Sequence, residues 1–249
     1  MTETTRTTHP KAAASFRVVW WVIVRSIATR VRLAGLGLLG LAAVALGLAV
    51  QASHPVNRPD AAWTLVDSYG LSLLIPVVAL VFASASLGDL AEDGTLVYLW
   101  LRPLPRWQLA LAAFAAAVTV VVPGSVLPLV IGAALTGQGA RLVGAAAAGG
   151  LLATVAYSAV FCGLGLRVRR ALAWGLAFLL MWEQAVARVS HGAARASLFV
   201  NARSVAAHLA GHPPPRNAVA WTTGLIFPLV VTVVALVVTS RSLDRGELT

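Results

Sequence analysis

The sequence has little of what soluble proteins and cysteine-based sites require. It contains one cysteine, Cys162, so no disulfide and no cysteine metal site can form within a single chain. Charged residues make up only 11% of the 249 positions, whereas 59% are hydrophobic and the mean hydropathy is +0.83. This composition excludes a soluble domain of such length. The chain is therefore predicted to be an integral membrane protein.

Lysine is almost absent, because Lys11 is the only lysine among 19 basic residues. A phosphate-binding loop of the G-x-x-x-x-G-K-(S/T) type needs a lysine on the nucleotide phosphates, and Lys11 follows Pro10 instead. We therefore expect no such ATP site in this chain. The net charge of +10 comes from short arginine patches between apolar runs, which disfavours nucleic-acid binding.

Long uncharged runs predict the membrane-spanning helices, since a helix crosses a bilayer with about 20 apolar residues. They predict an all-α fold in one transmembrane domain, 1–249, with six transmembrane helices. Residues 15–32 mix tryptophan, valine and arginine and predict an amphipathic interfacial helix, the alternative being an extension of the first span. Two prolines at 123 and 128 predict a kink in the third span. The predicted spans are 33–53, 66–88, 108–136, 141–166, 171–189 and 218–240.

The basic residues between these spans predict the orientation through the positive-inside rule. If the amino terminus is cytoplasmic, 13 of the 19 basic residues fall on the cytoplasmic side. Both termini and the segment 89–107 then face the cytosol, and the segment 190–216 is external. The preference for arginine and alanine is typical of a bacterial coding sequence rich in G and C. The expected location is thus a bacterial cytoplasmic membrane.

Segment 89–107, DLAEDGTLVYLWLRPLPRW, is too short to span a bilayer and too apolar for a free loop. Thr95 is predicted to cap a short helix over 96–101, which Pro103 stops. This pattern predicts a cytosolic helix docked on a partner, the alternative being a helix resting in lipid headgroups. Three acidic residues at i, i+3 and i+4 would share one helix face: Asp89, Glu92 and Asp93.

The same segment resembles the E-x-G-T-L … L-x-x-(R/T)-P-x-x-R signature of ABC-2 type permease subunits, a family of exporters. The resemblance extends to the amino-terminal helix, the six spans and the long external connection. It implies a coupling helix that docks on a separate ATP-binding subunit, which holds ATP and Mg²⁺. It also implies a second permease chain, in a homodimer or heterodimer, and no enzymatic site or cofactor here. The coupling role carries over to Glu92, Gly94, Thr95, Leu96, Arg102, Pro103 and Arg106.

Glu183 is the one carboxylate well inside a predicted span, where such groups are costly and often functional. Pairing with Arg188, a place on the transport path, proton uptake and a salt-bridged position near the end of the span all remain open. Asp67 is predicted to lie at the membrane interface. His208 and His212 are four apart and would suit a metal only if both lie on one helix; no metal site is expected.

Segment 190–216 and the polar residues of the fourth span also carry structural predictions. By resemblance, 190–216 contains short re-entrant helices over the transport path; the alternative is a solvated loop. Polar residues on the fourth span are expected to pack helices through hydrogen bonds.

A proton-coupled secondary transporter using Glu183 is the first alternative function, although no pair of broken helices is apparent. A membrane-embedded enzyme is the second, although the cytosolic acids have no neighbouring histidine.

Overall fold

The structure is a computed structural model that describes residues 12–53, 55–92, 105–186, 191–213 and 217–245. Those residues form helices and contain no strand, which confirms the predicted all-α class. One further helical turn, His191–Ala194, lies between the two helices that end at residue 186 and begin at Leu198. The helices are α1 (Ala12–Ile27), α2 (Arg30–Ser53), α3 (58–92), α4 (106–135), α5 (Ala140–Arg167), α6 (171–186), α7 (Leu198–Ala210) and α8 (Trp221–Arg245).

Five of these helices are long and apolar enough to cross a membrane, namely α2, α3, α4, α5 and α8. Their positions match five of the six predicted spans, with ends that differ by several residues. The largest difference is in α3, which begins at Arg58, eight residues before the predicted start. Helix α6 is the exception, because its apolar stretch, Ala171–Glu183, is shorter than a bilayer requires.

Three helices contain a wider, π-helical stretch, in which each N–H bonds to the carbonyl five residues earlier. These stretches are Leu65–Leu74 in α3, Val122–Val126 in α4 and Leu179–Val186 in α6. In α4 the wide turn falls where the kink was predicted, around Pro123 and just before Pro128. Proline has no N–H to donate, so a local change of helix type re-accommodates the freed carbonyls.

Helices α3 and α5 form the centre of the bundle. In their most apolar windows 78% and 72% of the residues are buried, against 22% in α2 and in α8. The backbones of α3 and α5 touch, since a Cβ built on Gly165 would lie 2.1 Å from the Ser84 carbonyl oxygen. Helices α2, α4 and α8 surround this pair and expose valine and leucine side chains, as lipid-facing helices do.

Helix α1 is separate from α2, because helical structure stops after Ile27 and resumes at Arg30. It packs along α4 through a buried face of Val19, Ile23 and Ile27, spaced four residues apart. The Trp20 indole nitrogen lies 3.3 Å from the Thr119 hydroxyl, which extends this contact. The predicted alternative, a continuous extension of the first span, is therefore not the arrangement in the structure.

Candidate functional site

Helices α6 and α7 lie one after the other along α5, so that together they resemble one helix with a break. Phe178 of α6 packs edge-on against Phe161, in the second half of α5. Gly149, in the first half of α5, lies against Ala202 and Ala206 of α7. The carboxyl end of α7 reaches Arg141, at the start of α5, through Gly211. The break between α6 and α7 therefore falls near the middle of α5.

Glu183 occupies this break and is buried, with 1% of its surface exposed. Its carboxylate accepts hydrogen bonds from the Ser197 hydroxyl, from the Leu198 N–H at 3.0 Å and from the Phe199 N–H at 3.3 Å. Ser197 is also the N-cap of α7 and accepts from the Val200 N–H at 3.0 Å. One carboxylate from α6 thus caps the amino end of α7.

The energetic reason for this cap follows from the ends of helices. The first N–H groups of a helix have no partner within it, and its amino end carries a partial positive charge. A buried carboxylate in turn needs donors or a positive charge close by. Glu183 and the first turn of α7 satisfy each other in the interior of the bundle, where water is excluded. The predicted pairing partner, Arg188, lies outside the described residues.

Three further polar groups on α5 lie beside this junction or one turn from it. The hydroxyls of Thr154 and Ser158 are buried and have no hydrogen-bond partner in the described part of the chain. The Tyr157 hydroxyl is close enough to Glu183 to interact with its carboxylate. By contrast, Ser84 bonds to a carbonyl of its own helix. The interior around the break is therefore polar. Of the three hydroxyls predicted to hydrogen-bond between helices, that of Tyr157 faces a polar group on another helix, whereas those of Thr154 and Ser158 have no such partner among the described residues.

Helix α7 is fastened to α3 by an ion pair in its middle. Arg203 Nε lies 2.7 Å from Asp67 Oδ1, and the Asp67 side chain is only 10% exposed. Asp67 belongs to the π-helical stretch of α3. Asp67 was predicted to lie at the membrane interface, and in the structure α7 packs beside it and leaves its side chain largely buried.

The end of α7 is held by aromatic and polar contacts. His212 follows the left-handed Gly211, stacks on Trp63 at 4.8 Å and lies 3.2 Å from Asp60 Oδ1. His208 remains within α7 and stacks on Trp221 at 5.6 Å. The two histidines thus contact different tryptophans and do not share a helix, which was the condition for a metal site.

The predicted coupling segment is only partly described. Glu92 is the last residue of α3 and Arg106 the first of α4. Asp89 forms a two-point ion pair with Arg32 of α2, at 2.7 and 3.3 Å. Arg106 donates a hydrogen bond to the Leu243 carbonyl in the last turns of α8. The predicted residues Gly94, Thr95, Leu96, Arg102 and Pro103 lie outside the described residues.

Asp89, which was predicted to share an acidic helix face with Glu92 and Asp93, therefore has an intramolecular partner in Arg32. The structure also separates the two candidate regions, because Glu183 lies in the middle of the bundle and Arg106 at its end. Sequence reasoning missed Ser197 and Arg32. Ser197 precedes an apolar stretch, as N-caps do, and that signal could have revealed it.

No protein-family model and no curated protein matches this chain. Its function is therefore inferred from its own residues and their geometry.

Proposed function

We propose that this chain is the membrane-spanning permease subunit of an ATP-driven exporter of the ABC-2 type. It moves a substrate across the bacterial cytoplasmic membrane when a separate ATP-binding subunit drives it. The connection between α3 and α4, residues 93–104, docks on that subunit. A second permease chain completes the transport path.

One observation carries this proposal: both flanks of the connection are bonded to helices from opposite ends of the chain. Asp89 holds the start of α2 through Arg32, and Arg106 holds the end of α8 through Leu243. A force on the connection therefore reaches the first and the last long helix as well as α3 and α4. Such fastening is what a coupling element requires, because it must convert movement of a docked partner into movement of several spans.

The proposed topology has six crossings, with both termini in the cytoplasm. Five crossings are the long helices, and α6 followed by α7 makes the remaining one. The two pieces have 16 and 13 helical residues, about 24 and 20 Å at 1.5 Å per residue if both were regular α-helix. Together they are long enough for a bilayer of about 30 Å, although neither is alone. In this proposed topology α7 completes the fifth crossing, so it is not one of the re-entrant helices that were expected in 190–216.

Purification of the full-length chain from its native membrane tests the proposal. We expect a protein with a phosphate-binding loop to co-purify and to hydrolyse ATP. Substituting Glu92→Ala with Arg102→Ala should abolish this association while membrane insertion is unchanged. The matched control is Arg58→Ala, which removes an arginine at the opposite end of α3. Unchanged co-purification in the double variant, or no ATPase in any preparation, would overturn the proposal.

A proton-coupled transporter is the second candidate, and the break between α6 and α7 favours it. Discontinuous helices with a buried carboxylate are typical of secondary transporters. Against this, the carboxylate of Glu183 is already engaged by three donors. Transport in sealed vesicles separates the two functions. Dependence on ATP supports the exporter, whereas dependence on a pH gradient that Glu183→Gln abolishes supports the second candidate.

A further inference from the structure

A small basic pocket opens where α5 and α8 end together. It has a volume of about 180 Å³ and is lined by Arg167, Val238, Arg241 and Ser242. The Arg167 Nε donates to the Ser242 hydroxyl at 2.7 Å, and that hydroxyl donates to the Val238 carbonyl at 3.0 Å. Ser242 is buried, and its hydrogen bond with Arg167 fixes the position of that arginine relative to α8.

The pocket carries an excess of positive charge. No ion pair joins Arg167 or Arg241 to an acidic side chain among the residues that the structure describes. Arg169 and Arg170 follow in the turn after α5 and are exposed. An anion that enters the pocket would therefore meet two guanidinium groups, those of Arg167 and Arg241.

An exposed apolar stripe on α8 leads directly to this pocket. Val234, Val238 and Arg241 are spaced at i, i+4 and i+7, which places them on one helix face. Val234 is 55% exposed and Val238 is 36% exposed, as expected of a surface that faces acyl chains. A hydrocarbon chain can lie along the valines while a charged group sits at Arg241.

We propose that this pocket binds the phosphate of an anionic phospholipid, with one acyl chain along the valine stripe. Arginine is suited to this role, since its planar guanidinium forms paired hydrogen bonds with phosphate oxygens. Basic pockets between membrane helices recognise anionic headgroups in the same manner. The valine stripe favours a lipid over an acidic protein surface or free phosphate, because only a lipid carries an acyl chain that can pack along the exposed valines.

Thermal unfolding of the full-length protein in detergent tests the site. Added phosphatidylglycerol should raise the unfolding temperature in a concentration-dependent manner, whereas phosphatidylcholine and inorganic phosphate should not. The double variant Arg167→Gln with Arg241→Gln should weaken the apparent affinity for phosphatidylglycerol by about tenfold or more, since charge-assisted hydrogen bonds to phosphate are lost. The single variant Arg241→Gln breaks no internal hydrogen bond in the described residues and should lose part of the effect.

The matched control is Arg17→Gln with Arg30→Gln, which removes two exposed arginines from α1 and α2. This variant should keep the full response to phosphatidylglycerol, and native mass spectrometry should show lipid retained on it. An equal loss in the control would indicate general charge attraction and overturn the site. An equal shift with phosphatidylcholine or with inorganic phosphate would overturn the lipid assignment. An unchanged response to phosphatidylglycerol in the double variant would overturn the site. This holds even if the same variant no longer bound a protein partner.

Discussion

Glu183 shows how a carboxylate can be buried among apolar helices when it accepts hydrogen bonds from the amino end of another helix. An isolated buried carboxylate is very costly, whereas one that accepts several hydrogen bonds at a helix amino end recovers much of that cost. Here the donors are the Ser197 hydroxyl and two backbone N–H groups of α7. The residue therefore joins α6 to α7 whether or not it also contacts a substrate.

Replacing Glu183 with Gln should lower the stability of the protein by about 1–3 kcal/mol. The amide keeps one acceptor, but it loses the negative charge and turns an NH₂ group toward backbone donors. Ser197→Ala should cost about 1 kcal/mol, because one N-cap bond is lost. Thermal unfolding in detergent measures both effects. Thr232→Ala is the control, since that hydroxyl bonds only to the Pro228 carbonyl of its own helix; a Glu183→Gln variant as stable as this control would contradict the capping role.

Sequence reasoning identified Glu183 at the residue scale but not its partners. The position stood out because a carboxylate inside an apolar run is rare and costly. Its partners are 14 to 16 residues further along the chain and include backbone groups, which every residue carries. Nothing in the residue types distinguishes Leu198 N–H from any other, so only the packing of α6 against α7 identifies it.

At the scale of elements, close contact between α3 and α5 depends on glycine. The backbone of Gly165 lies against the Ser84 carbonyl. A Cβ built on Gly88 would lie 3.1 Å from the Gly165 carbonyl oxygen. Membrane helices gain stability from such close approach, because lipid provides no hydrophobic drive for their association. The contact between the two central helices is therefore intolerant of a larger residue at Gly165.

Gly165→Ala should destabilise the protein by about 1–3 kcal/mol, because its Cβ would overlap the backbone of α3. Gly144→Ala provides the matched comparison on the same helix, since no atom lies within 4 Å of a Cβ there. That variant should be neutral or stabilising by up to about 1 kcal/mol, as alanine favours helix over glycine. Unfolding temperatures of the two variants measure the difference. Equal effects would show that α3 and α5 are not in close contact.

Helices were predictable where they are long and apolar, and less so where they break. The runs that became α2, α3, α4, α5 and α8 are visible in any hydropathy window. Proline at 123 and 128 also indicated the irregular turn in α4. The break between α6 and α7 has a weaker signal, which is the serine at 197 before an apolar stretch. Its position depends on the cap that Glu183 and Ser197 form across a gap of fourteen residues.

At the scale of the whole molecule, the bundle has a buried centre and a surface suited to lipid. Helices α3 and α5 are enclosed, whereas α2 and α8 are mostly exposed. Helix α7 is the unusual feature, because a short helix inserted beside α5 and α8 brings polar residues into the interior. Its contacts with Asp67, Asp60 and Trp63 of α3 hold it in place.

Labelling of introduced cysteines should place the two ends of the bundle on opposite sides of the membrane. In intact cells, a membrane-impermeant thiol reagent should modify Ala210→Cys but not Thr95→Cys, and permeabilised cells should show both. The unmodified protein is the control, since its only cysteine, Cys162, is fully buried. Labelling of both positions from the same side would contradict a topology in which α6 and α7 together cross the bilayer.

The sequence by itself determined the class of the protein, the places of its long helices and the absence of a lysine-based phosphate loop. These properties depend on composition and on local runs of residues, so they can be read along the chain. Tertiary structure decided the capping of α7 by Glu183, the Asp67–Arg203 and Arg32–Asp89 ion pairs, and the basic pocket between α5 and α8. Each of these joins groups distant in sequence, and their energy arises only when packing removes water and places donor and acceptor within about 3 Å.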